Sequence, residues 1–170
     1  MEAFIFIDYE NYEYNNIVKD ILDNREFKKL ENYKHHGINR LEHSRRVSFY
    51  SYKLCKYFGL DYVSAARGGL LHDFFKNSYK KSKRKKLLVI HPKYALYNSR
   101  KYFELNTIEK DIIKSHMFPI NIKIIPRFKE SFIVTIVDKF SCMYERYVVC
   151  SSGVVFKYSK LLFLCSLIIK

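Results

Sequence analysis

Six residues in this chain could bind a metal or move a proton: His43, the doublet His72-Asp73, His91, His116 and Asp138. His43 recurs with Val47, Tyr50 and Leu54 at steps of three and four, so on a helix it shares their apolar stripe and points inward. His116 shares a face with Ile108 and Ile112 in the same way. Asp138 interrupts the apolar run from Phe132 to Phe140, one turn from Val134 and Cys142. A single inward imidazole reads as a hydrogen-bonded core residue, but a set spread over different helices does not. Burying them all unpaired would exceed a domain's net stability of ~5–15 kcal/mol. Convergence on a divalent ion removes that cost, because imidazole and carboxylate lone pairs become ligands. Cores of helix bundles are known to house such sites.

The elements that must position these residues are helical. Glycine and proline are scarce, at five and three copies, and strand-like alternation is rare. A first helix is expected over 14–33, stopped by His35-His36-Gly37, and a second over 41–58, with Gly59 as its stop. Asp61 is placed to cap a third helix that ends near His72-Asp73. KKSKRKK, residues 80–86, reads as a basic loop. His91-Pro92 then opens a fourth helix, with proline at the first helical position. Asn106-x-x-Glu109 has the form of a capping box for a fifth helix to about Met117. A long sixth helix is expected over 131–147, with Phe132, Ile133, Ile136, Val137 and Phe140 as its apolar side. The fold class is therefore all-α: a compact bundle of five to six or more helices, one domain over residues 1–150, then an apolar tail or last helix over 151–170.

At 170 residues the chain is long enough for a core without disulfides or a structural metal. The four cysteines form no C-x-x-C pair, which excludes a zinc ribbon or a thioredoxin-type motif and fits reduced thiols in a cytoplasmic protein. The N-terminal MEAFIFIDYE has an early acid and a short apolar run, unlike a secretory signal. Leu161 to Ile169 is almost wholly apolar but falls short of the ~20 residues a membrane span needs, so packing on the core or on a partner is expected rather than a membrane anchor. The net charge of +14 favours anionic partners.

The order of the candidate residues has a counterpart. His43, His72-Asp73 and Asp138 resemble the H…HD…D signature of the HD-domain superfamily of metal-dependent phosphohydrolases. His91 and His116, lying between the doublet and the last aspartate, resemble the extra histidines of its two-metal branch. Local wording agrees: His43-Ser-Arg-Arg46-Val47 resembles H-x-x-R-V, His72-Asp73-Phe-Phe-Lys76 resembles HD-x-x-K, and Asp138-Lys139 resembles the closing A-D-K segment. The resemblance covers about residues 34–145 and is to small bacterial members in particular. Three departures narrow it. No glycine follows the doublet, no G-Y-P triplet follows His91-Pro92, and position 39 is Asn rather than a carboxylate.

The resemblance implies an HD-domain fold and hydrolysis of a phosphate ester or anhydride by metal-bound hydroxide. One or two divalent transition-metal ions (Fe, Mn, Zn or Ni) would be held by His43, His72, Asp73, His91, His116 and Asp138, with Asp73 shared between two ions. It also implies catalytic roles for Asp73 and Lys76, and phosphate contacts from Lys76 and Arg46. The expected substrate is a phosphorylated small molecule, most simply a nucleotide. The alternative is a catalytically weak HD-fold module that regulates, or binds RNA through its basic surface, with nucleic acid the less favoured partner.

Overall fold

The computed structural model describes residues 11–35, 38–76 and 84–150. Their helices are α1 (Tyr12–Asp23), α2 (Arg25–Lys28), α3 (Arg40–Tyr57), α4 (Tyr62–Leu71), α5 (Arg84–Tyr102), α6 (Thr107–Ser115) and α7 (Lys129–Cys150). A 3-10 turn, Lys29–Asn32, follows α2, and a small antiparallel ribbon pairs β1 (Lys34–His35) with β2 (Ile38–Asn39). With two residues per strand, the ribbon adds no layer, and the fold is all-α.

Side-chain caps set most helix starts. Asn39 accepts the Glu42 N–H at 2.8 Å, Asp61 accepts the Ser64 N–H at 2.9 Å, and Asn106 and Glu109 form the complete expected capping box. Gly59, at φ 65°, supplies the left-handed residue that ends α3. Two boundaries differ from the sequence reading. The helix expected over 14–33 breaks at Asn24, whose side chain accepts the N–H groups of Glu26 and Phe27 and so starts a new helix. Helix α5 begins at Arg84, so Arg84 to Lys86 are helical rather than loop, and Pro92 lies inside the helix instead of at its first position. An internal proline lacks one helix hydrogen bond. Burial of His91, Pro92 and Ala95 on the inner face of a 19-residue helix offsets that loss. The rest of the basic segment, and the tail over 151–170, lie outside the described residues.

Two glycines let α4 sit deep between its neighbours. A Cβ on Gly68 would fall 2.7 Å from Ile112 Cδ1 on α6, and one on Gly69 would fall 3.1 Å from Ser48 Cα on α3. The close approach brings the C-terminal end of α4, which carries His72-Asp73, against both α3 and α6. Around it, Tyr14, Phe27, Phe49, Tyr52 and Phe74 fill one side of the core, while Val47, Ala65, Ile112, Val134 and Val137 join α3, α4, α6 and α7.

Helix α7 is turned differently from the expectation. Val137 and Ile133 pack inward, but Phe132, Ile136 and Phe140 are 43%, 47% and 52% exposed. Its buried stripe is Ser131, Val134, Thr135, Asp138, Ser141 and Glu145, at steps of three and four. The helix is oriented by what it delivers to the interior, and that face is largely polar. Among the described residues, no helix is long and apolar enough to cross a membrane.

Candidate metal centre

Five helices contribute to one buried cluster. His43 lies in the body of α3, His72 is the C-cap of α4 with Asp73 next, His91 is on α5, His116 is the C-cap of α6, and Asp138 is midway along α7. None of the six is more than 6% exposed. His43 Nε2 lies 3.2 Å from Asp138 Oδ1, and His72 Nε2 lies 3.7 Å from the same oxygen. His91 Nε2 is 3.2 Å from Asp73 Oδ1 and 2.8 Å from His116 Nε2, which is itself 3.8 Å from Asp73 Oδ1. The ring pairs His43–His72, His72–His116 and His91–His116 have centroids 5.3, 4.9 and 4.9 Å apart.

The imidazoles are pre-set to offer Nε2. The Nδ1–H of His72 donates to the Gly69 carbonyl at 2.6 Å, and that of His116 donates to the Ile113 carbonyl at 2.9 Å. Both carbonyls belong to the last turn of a helix, where no main-chain donor follows, so C-cap histidines can turn back onto them. With Nδ1 as the donor, Nε2 is the nitrogen each ring turns to the cluster. His72 Nε2 is buried and makes no hydrogen bond, a costly condition that a cation would relieve.

The electrostatics distinguish the rings. Burial opposes the charged form of His43, but hydrogen bonds to Asp138 and Glu145 outweigh it and raise its pKa to about 9. Burial, with His91 and His72 alongside, pushes His116 well down and keeps it neutral. Burial opposes ionisation of Asp138, yet the hydrogen bond from His43, the approach of His72 and the charge of Lys139 hold its carboxyl well below the usual range. Lys139 Nζ donates to Asp138 Oδ2 at 2.6 Å and to the His116 carbonyl at 2.8 Å. Burial and nearby carboxylates keep the Cys142 thiol protonated, and it donates to Asp138 Oδ1 at 3.5 Å.

Three groups of donors are compact enough to hold an ion, with the donor atoms of each within 4.8 Å of one another: His43, His72 and Asp73; Asp73, His91 and His116; and His43, Asp138 and Cys142. Asp73 belongs to the first two. All six candidate ligands are thus brought together. The two expected phosphate contacts are placed otherwise. Lys76 forms an ion pair with Glu26, and Arg46 Nη1 donates to Glu145 Oε1 at 2.7 Å. Sequence reasoning missed Glu145, which is buried and within 2.9 Å of His43 Nδ1. Its place seven residues after Asp138 on α7 was the available signal. It also missed Arg40, which is 5% exposed, stacks 3.9 Å over the Phe75 ring and feels the charge of Asp73. An apolar cavity of about 500 Å³ lined by Phe58, Leu60, Phe128 and Phe132 shares no residue with the cluster and does not mark the site.

The HD domain family matches residues 40–143, a span that contains all six cluster residues and stops two short of Glu145. No curated protein and no solved structure matches the chain significantly. With more than half of its length matched and the ordered histidines and aspartates converging in one buried cluster, this chain belongs to the HD domain family, a superfamily of metal-dependent phosphohydrolases.

Proposed function

We propose that this protein hydrolyses a phosphate ester or anhydride of a nucleotide at a site for two divalent ions. The observation that carries this reading is the membership of Asp73 in both the His43–His72 group and the His91–His116 group. A carboxylate between two sets of imidazoles is the arrangement that lets neighbouring ions share a ligand. Here His43, His72, Asp73 and Asp138 would hold one ion, and Asp73, His91 and His116 would hold the other. Mixed imidazole and carboxylate donors suit iron, manganese, zinc or nickel. Such ions, when bound, lower the pKa of a coordinated water and neutralise charge on phosphate oxygens.

The chain's own residues do the rest. The Gly69 and Ile113 carbonyls hold the His72 and His116 rings in the tautomer that offers Nε2. Lys139 ties Asp138 to the end of α6, which keeps that carboxylate ionised and aimed at His43. Arg40 takes the phosphate-contact role expected of Lys76 and Arg46. Its Nη1 bonds the Phe75 carbonyl, its Nε is buried without a hydrogen-bond partner, and it lies on the Asp73 side of the cluster. A guanidinium with an unused donor favours an anionic group, as does the net charge of +14.

The test is metal content by mass spectrometry on anaerobically purified protein, followed by phosphate release from mono-, di- and dinucleoside polyphosphates. Two equivalents in wild type, about one in His91→Ala and almost none in Asp73→Asn, with hydrolysis following the metal, are expected. Absence of metal after reconstitution would sink the hydrolase reading and favour a regulatory or RNA-binding module.

A further inference from the structure

We propose that Glu145 is a positioning residue that fixes the orientation and donor strength of His43, and so sets the affinity of one half of the metal site. This rests on the metal-site reading above and concerns a residue beyond the matched span of 40–143.

Glu145 lies two turns after Asp138 on α7, so both carboxylates leave the same face of that helix. Its side chain is fully buried. Both of its oxygens approach His43 Nδ1, at 2.9 and 3.0 Å, and Oε1 also accepts from Arg46 Nη1 at 2.7 Å. Arg46 stands one turn after His43 on α3, so one carboxylate spans two side chains of the facing helix. The His43 Nδ1–H therefore points at Glu145, and Nε2 points at Asp138 and the cluster.

The three histidines with assigned Nδ1 partners are not equivalent. His72 and His116 are C-caps held by carbonyls of their own helices. His43 lies in the body of α3, and its Nδ1 faces the two oxygens of a carboxylate from another helix. A carboxylate behind an imidazole raises its basicity more than a carbonyl does, and removing such a partner typically weakens metal binding by ~10–100-fold. The effect should be confined to the ion that uses His43. The other ion would be held by Asp73, His91 and His116, whereas the hydrogen bonds of Glu145 run to His43 and Arg46.

The experiment titrates the metal-free full chain with Zn²⁺ in the presence of a competing chelator. It compares wild type, Glu145→Gln, His91→Ala and the Arg46→Met/Glu145→Gln double variant. Glutamine keeps the size and one acceptor oxygen but not the charge. The expected result is two binding steps in wild type, with one weakened ~10–100-fold in Glu145→Gln and the other close to its wild-type value. In His91→Ala the remaining step should be the one that Glu145→Gln weakens when the two are combined. The double variant removes the arginine that Glu145→Gln would leave without its carboxylate. If the loss persists there, it acts through His43. Equal weakening of both steps, no weakening, or recovery in the double variant would each overturn the positioning role while leaving the metal site intact. Absence of Zn²⁺ binding by wild type would overturn the site itself, and this inference with it.

Discussion

In the metal-free protein, His43 should act as an imidazolium clamp between Asp138 and Glu145, and stability should fall as pH rises. Its folded-state pKa is raised from 6.5 to about 9, although burial opposes the charge. A raised pKa means that the stabilisation is fully present below the unfolded value near 6.5 and is lost as pH rises through about 9. At 1.36 kcal/mol per pKa unit, the loss is on the order of 3 kcal/mol. The lowered pKa of Asp138 describes the same interaction and is not added to it. For a chain of this size, 1 kcal/mol moves Tm by roughly 2–4 °C, so Tm should drop by about 6–12 °C between pH 6.5 and 9.5. Burial pushes the Cys55 thiol up to about 12 and raises Cys142 as well, so both ionise first in the unfolded chain, near 9, and add to the decline only at the upper end of the window. The assay is thermal unfolding in chelator, with His43→Gln as the control that should lose the slope below about pH 8.5 and keep the part due to the thiols. Bound metal displaces the His43 proton, so the loaded protein should not show this decline. A metal-free Tm that is flat or rises with pH, or a slope below about pH 8.5 undiminished in His43→Gln, would refute the clamp.

Three further outcomes follow from the packing and the charges. Gly68→Val forces a side chain against Ile112, where even a Cβ would fall at 2.7 Å, so it should cost ~1–3 kcal/mol in denaturant unfolding and lower metal stoichiometry by shifting α4 against α6. Phe140→Lys replaces a side chain that is 52% exposed, so its unfolding free energy should stay within about 0.5 kcal/mol of wild type despite the loss of a large apolar group. Arg40→Gln should leave metal content unchanged and raise KM for a phosphorylated substrate, whereas Lys76→Gln, which releases a partly exposed pair with Glu26, should change KM little. A metal loss in Arg40→Gln, or equal KM effects in the two variants, would show that Arg40 is structural.

Most helices and the six residues of the buried cluster were legible in the sequence because their signals are local. A cap needs a side chain three residues from the N–H it accepts, as with Asn106 and Glu109, and an inward histidine needs apolar neighbours at helical steps, as with His43 and Val47. The ordered set from His43 to Asp138 therefore announced the family and a cluster of donors that could hold a metal. What tertiary structure decided is which groups meet across helices. Periodicity marked Phe132, Ile136 and Phe140 as the buried side of α7, but the helix turns to present Asp138 and Glu145, which find His43 and Arg46 as partners on α3 and are buried as paired groups. Only folding set Glu145 beside Arg46 and Glu26 beside Lys76, respectively 99 and 50 residues away in the chain. The sharing of Asp73 between two sets of histidines likewise exists only once the glycines of α4 admit it between α3 and α6. Spacing along one helix carries information about its own faces. Ion pairs and shared ligands depend on distances between helices, which packing alone determines.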